Sequence, residues 1–228
     1  IVPSSLLFFT EYVLDTVKNS KDDGTIVIPN QQAKGKIAIE KTDQYRKIPV
    51  AGAIYGIYTK HDIWNYKGEK ILNAGDMIGS LTTDQEGKAV LPIEVPIQSS
   101  LGNTGEYYAK ELWVSSSYYC EQQIIPLHCQ YQDDRTATIV ATAKIQEEPT
   151  KTGIQKVDAN RGQPLNGCKL QLCDENGCVI VEWITGQRDS VTTSISTENS
   201  YCNFAASMKE DGEVEIYGLL QGHVYQVQ

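Results

Sequence analysis

KTDQYRKIPVAGAIYGIY, residues 41–58, and KVDANRGQPLNGCKLQLC, residues 156–173, are two copies of one pattern. Each reads Lys-x-Asp, then Pro, then Gly: Lys41, Asp43, Pro49 and Gly52 in the first, Lys156, Asp158, Pro164 and Gly167 in the second. An apolar residue follows at the same offset, Ile57 and Leu172. Agreement at charged, turn-forming and apolar positions with unchanged spacing marks an internal repeat, and so two domains of one kind in tandem.

Outward from the first copy, Lys36-Ile37-Ala38-Ile39-Glu40-Lys41 alternates polar and apolar, the period of a strand with one buried face. Ile54 to Tyr58 follows as a second strand. Leu81 to Leu91 reads strand, turn, strand around Asp84-Gln85-Glu86-Gly87, Glu106 to Leu112 alternates again, and the β-branched run Thr136 to Ile145 closes the domain. Around the second copy, strands are expected at Ile154 to Asp158, Lys169 to Cys173, Val179 to Trp183, Glu213 to Tyr217 and His223 to Gln228. Short strands between Gly, Asp and Asn turns, without a helical period, predict an all-β chain of tandem antiparallel sandwiches with an Ig-like Greek key. Residues 1–33, with a strand at Thr25 to Asn30, are expected to end a preceding domain. Residues 34–149 make the first sandwich and residues 150–228 a second one, incomplete at its C-terminus. Glu147 to Gly153 is the expected linker, because Pro149 has no N–H for a sheet ladder. The open edge of the second sandwich is expected to be disordered or completed by a partner strand. Ile at position 1 fits an excerpted chain.

The 228 residues carry a net charge of -9 with scattered acidic positions, which argues against nucleic acid or an anionic membrane as partner. No apolar run approaches the roughly 20 residues of a membrane helix, so no membrane insertion is expected in this segment, and Ile1 to Phe9 lacks the basic leader of a signal peptide. The six Cys are even in number and form no CxxC pair. Cys173 and Cys178 flank a turn, Cys120 and Cys129 lie close in sequence, and Cys168 and Cys202 remain. Disulfides in an oxidising setting are expected, with buried thiols as the alternative. His61, His128 and His223 stand in no metalloprotease spacing, and no nucleophile elbow or phosphate loop is present, so no enzyme, metal or cofactor is expected. Asp133-Asp134 and Asp174-Glu175-Asn176 lack the ligand spacing of a calcium loop and read as solvated turns.

The two copies, IEKTD with PVAGA and IQKVD with PLNGC, resemble the Cna-B-type, or SpaA/prealbumin-like, domains of Gram-positive surface proteins and pilins. The Asp84 to Gly87 hairpin and Tyr107 to Glu111, a Y-x-x-x-E ending, extend the likeness in the first domain. DENGCVIVEW and GLLQGHVYQV extend it in the second, so that it covers about residues 34–228. The resemblance implies prealbumin-like sandwiches strung as a stalk, with an intramolecular isopeptide bond in many members. In that chemistry a strand Lys attacks an Asn or Asp carbonyl while a buried Glu shuttles protons, since burial favours the neutral, nucleophilic amine. Carried over, Lys41 is the nucleophile and Glu111 the shuttle. Glu147, in Glu147-Glu148-Pro149-Thr150, takes the acceptor position where the family has Asn. Asn30 fits an acceptor serving a preceding domain. Lys156 matches the second nucleophile; its Glu would fall one residue past Gln228, so no such bond is expected there from the chain's own residues.

Three fates remain open for Lys41: a solvated strand end, a buried pair with Glu111, or a covalent amide. Tyr107, Tyr108, Tyr118 and Tyr119 are either strand packing or an aromatic binding face. Trp64, Trp113 and Trp183 read as packing. The functional expectation is a structural stalk of a secreted, wall-anchored or cell-surface adhesin or pilus protein, partnered by other domains of the same protein. The alternative is an adhesin domain recognising a host glycan or extracellular protein through Ile63 to Ile78 or Trp113 to Gln132. A sortase-polymerised shaft pilin is the third, though neither a sorting signal nor a pilin Lys motif occurs in the chain.

Overall fold

The structure is a computed structural model describing residues 34–65, 67–97, 102–120, 122–132, 136–194 and 204–228. Every regular element among them is a strand. In chain order these are β1 (Lys34–Asp43), β2 (Ile54–Thr59), β3 (Ile63–Trp64), β4 (Lys70–Leu72), β5 (Met77–Thr82), β6 (Lys88–Val90), β7 (Glu106–Trp113) and β8 (Ile124–His128). There follow β9 (Thr138–Glu147), β10 (Lys151–Ile154), β11 (Lys169–Cys173), β12 (Val179–Ile184), β13 (Gln187–Thr193), β14 (Ala205–Met208), β15 (Val214–Tyr217) and β16 (Gln226–Val227). The chain divides into two compact units. Of the described residues, one takes those within 34–41, 49–113 and 122–145; the other takes those within 42–48, 114–120 and 146–228. The all-β, antiparallel expectation holds.

The first unit has two main sheets, β6-β1-β9 and β5-β2-β7-β8, plus the hairpin β3-β4. The period of two does the sorting. On β1, Gly35, Ile37, Ile39, Lys41 and Asp43 are buried while the residues between them are not. β9 buries Ile139, Ala141 and Ala143 in the same way. The facing set comes from Tyr55 and Ile57 on β2, Ile78 and Leu81 on β5, and Tyr107 and Ala109 on β7. Each fully buried Ile or Leu contributes about 1.5–3 kcal/mol, so this apolar set holds the two sheets face to face. β8, an edge strand, carries Pro126, which needs no outward N–H partner there.

The second unit has sheets β10-β15-β14 and β13-β12-β11-β16. Its core gathers Leu172, Ile180, Val181, Trp183, Met208, Val214, Ile216 and Leu219. On β15, Glu215 lies between two cations, with Lys151 Nζ at 2.6 Å and Lys209 Nζ at 2.8 Å, and accepts the Tyr217 hydroxyl at 2.7 Å.

Some elements differ from expectation. The strand expected at Ile154 to Asp158 instead occupies Lys151–Ile154, inside the expected linker. Gly153 faces Glu215 across the ladder, beside the Glu213 side chain. Strands β3, β4, β8, β13 and β14 differ from the expected set. β13 reads QRDSVTT, too polar to show an alternating apolar face. The strand expected at Thr25 to Asn30 lies outside the described residues.

Candidate functional site: a buried lysine in the first copy

Strand parity sends Lys41 inward with Ile37 and Ile39, and its side chain is fully buried. Burying an ammonium is costly unless it is paired. Glu111, on β7, stands 2.5 Å from Nζ, and the Tyr55 hydroxyl, on β2, accepts a hydrogen bond from Nζ at 2.7 Å. Tyr55 and Glu111 are direct register partners across β2 and β7, so two acceptors on neighbouring strands converge on one nitrogen. Lys41 is therefore not a solvated strand end.

The backbone around Lys41 is clamped by the sequence motifs. Its N–H donates to the Gly87 carbonyl at 2.7 Å, and its carbonyl accepts from Val50 at 3.0 Å. Gly87 closes the Asp84 hairpin at φ 70°, and a Cβ there would collide with the Lys41 carbonyl oxygen. Glycine is required on both counts. The buried Thr83 hydroxyl donates to the Val50 carbonyl at 2.8 Å and accepts from the Ala53 N–H at 2.9 Å, tying the Pro49 to Gly52 turn to the next strand.

The turn after Lys41 is organised by Asp43. One carboxylate oxygen accepts from the Tyr45 and Arg46 N–H groups at 2.8 and 2.7 Å, and the other takes the Arg46 guanidinium. Burial pushes this carboxyl up, but hydrogen bonds and charge from Arg46 pull it further down, so it sits below the usual range. Arg46 also donates to the Tyr118 hydroxyl at 3.0 Å. Burial raises Tyr118 to about 12 against the pull of Arg46. Glu147 is buried at the end of β9, and its carbonyl accepts from the Gln44 N–H at 2.8 Å.

The second copy repeats the turn. Asp158 accepts from the Asn160 and Arg161 N–H groups at 2.9 and 2.8 Å, and Leu165 donates to the Lys156 carbonyl at 2.9 Å. Thr185 does for Cys168 what Thr83 does for Ala53, at 3.0 Å. Lys156, however, is exposed. Asn30, the acceptor expected to serve a preceding domain, lies outside the described residues.

Among the described residues, the disulfide expected between Cys173 and Cys178 is corrected. Cys173 faces the core on β11 while Cys178 is exposed beyond the turn, so the two do not face each other; both are free thiols. Cys129 and Cys168 are free as well. The Cys129 thiol is buried near the Lys36 carbonyl, and burial pushes it up to about 11. Cys120 is exposed, and Cys202 lies outside the described residues. Of the four tyrosines offered as an aromatic face, Tyr107 and Tyr118 are buried, Tyr108 is half-buried against Tyr58 and Tyr119 is exposed. Sequence reasoning missed Tyr55; its parity with Ile57 was the available signal.

The fold and site together define a class: an all-β sandwich domain whose first strand delivers a lysine to a glutamate in the core. Residues 35–144, just under half of the chain, match the SpaA family, described as a prealbumin-like fold domain. This region is similar to SpaA-type prealbumin-like domains. No curated protein matches the chain by sequence. Among solved structures, the chain is similar to the Bacillus anthracis TIE protein, at 17% identity and TM-score 0.43, covering 87% of this chain and 29% of that one. It is similar to the group B streptococcus pilus 2b backbone protein at 14% identity and TM-score 0.39, covering 57% and 46%. The shaft pilin SpaA from Lactobacillus rhamnosus GG gives 15% identity and TM-score 0.37, covering 86% of each chain. The chain thus spans less than half the length of the first two.

Proposed function

We propose that the chain is a structural shaft or spacer segment of a Gram-positive surface or pilus protein, displayed outside the cell and partnered by other domains and subunits of the same assembly. The observation that carries this reading is the buried Lys41–Glu111 pair inside a SpaA-type domain. A shaft must resist unfolding from its ends, and a covalent tie between first and last strands supplies that resistance. β1 and β9 are neighbours in one sheet, and the acceptor the sequence offers on β9 is Glu147.

In the proposed reaction Glu111 takes a proton from the Lys41 ammonium, and the free amine attacks the carboxylic acid carbon of Glu147. Glu111 relays the next amine proton to the departing hydroxyl. One N–C bond forms, one C–O bond breaks, one water leaves, and Glu111 ends protonated. Intact mass of the reduced, denatured chain tests this. Loss of one water, mapped to a Lys41 peptide, is expected; an unshifted mass overturns the crosslink and leaves a shaft domain held by non-covalent packing.

A further inference from the structure

We infer that Tyr55 is a positioning residue for the Lys41 amine, and that its hydroxyl sets the rate at which the crosslink forms. This rests on the Lys41 reaction proposed above. Tyr55 is fully buried, stands beside Glu111 across the β2–β7 ladder, and accepts a hydrogen bond from Nζ at 2.7 Å while Glu111 stands at 2.5 Å. An ammonium has three N–H bonds in fixed tetrahedral directions. Two acceptors on adjacent strands hold two of them. When Glu111 takes its proton, the bond to Tyr55 still fixes the torsion about Cε–Nζ. The new lone pair then points one way instead of sweeping through several, which is how orientation lowers a barrier.

The second copy supports the assignment. Leu170 follows Gly167 at the offset at which Tyr55 follows Gly52, and an alkyl side chain offers no acceptor. Lys156 there is exposed. Lys, Asp, Arg, Pro and Gly of the turn are matched in the two copies, and the phenol is among the differences that bear on the lysine.

The test is a pulse of cell-free synthesis of the full chain, with intact mass followed over time, for the wild type and Tyr55→Phe across a range of pH. The wild type loses one water. Y55F keeps the ring and the Glu111 shuttle, so its rate is expected to fall about tenfold at every pH without a change in the shape of the pH profile. Y55F reacting at the wild-type rate overturns the inference and leaves the crosslink standing. A wild type that loses no water overturns both. Should Y55F fail to melt cooperatively, 4-fluorophenylalanine at position 55 fills the place of the hydroxyl with a poor acceptor that does not ionise. Slower water loss supports the role, and an unchanged rate overturns it.

Discussion

The two copies of the Lys-x-Asp pattern fold into the same turn and hand the lysine to opposite environments. In each, an aspartate accepts two successive N–H groups, a carbonyl of the lysine closes the turn, and a threonine hydroxyl fastens the next strand. Yet Lys41 is in the core and Lys156 is in solvent. The turn is a local object, decided by Asp, Pro and Gly within a few residues. Burying a charge is a tertiary event that needs acceptors from other strands. The first copy has Tyr55 and Glu111. It also has Gly87 seated against Lys41 and Pro49, with Val50 buried. In the second copy nothing lies within 4 Å of a Cβ built on Gly212, and a cavity of about 330 Å³ opens between Pro164, Gly186 and Gly212.

The largest contrast should come from the lysines themselves. Lys41→Met removes the crosslink and leaves the Glu111 carboxyl without its nitrogen partner, and a loss of about 2–5 kcal/mol is expected in denaturant melts; Lys156→Met should stay within about 0.5 kcal/mol. Comparable losses from both would erase the distinction. Next come the hairpin glycines. Gly87→Ala meets both a left-handed backbone and the Lys41 carbonyl, whereas Gly212→Ala meets only the backbone term of about 1 kcal/mol. Thermal melting should therefore rank Gly87→Ala well below Gly212→Ala. A third pair sharpens the comparison by predicting sameness: Thr83→Val and Thr185→Val each remove a buried acceptor and should cost about 1–2 kcal/mol alike.

The smallest effect concerns acid. The hydrogen bonds from Lys151, then Lys209 and Tyr217, hold Glu215 to about 2, below its ordinary 4.5. The unfolded chain binds this proton first as pH falls. The stabilisation is complete above about 4.5 and is lost as pH drops towards about 2. Both lysines keep solvent contact, so added salt should shrink this acid-side loss. An acid limb of the second unit that Glu215→Gln leaves unchanged would remove the ion cluster from the account.

Much of this was legible in the residues. Period-two alternation marked β1 and β7, the β-branched run marked β9, and β2 and β11 followed the Pro-Gly turns, while the burial of Lys41 was left open although it shares the parity of Ile37 and Ile39. Parity does not carry over to Lys156, because β10 ends at Ile154, two residues before it. Nothing near Lys156 in sequence tells whether a distant strand will bring an acceptor. The thiols failed for a related reason: Cys173 and Cys178 flank a turn, but register sends one to the core and leaves the other outside. Polar β13 carried no alternating signal for a strand, though its pairing with β12 makes it one.

The measurement that bears most directly on the comparison is peptide mapping after exhaustive acetylation of the reduced, denatured chain. Denaturation exposes every free amine, so reactivity then reports covalent state alone. The account predicts that Lys156 is acetylated completely and that Lys41 is refused, its nitrogen recovered in an amide-linked pair of peptides one water lighter than their sum. Full acetylation of Lys41 would contradict it.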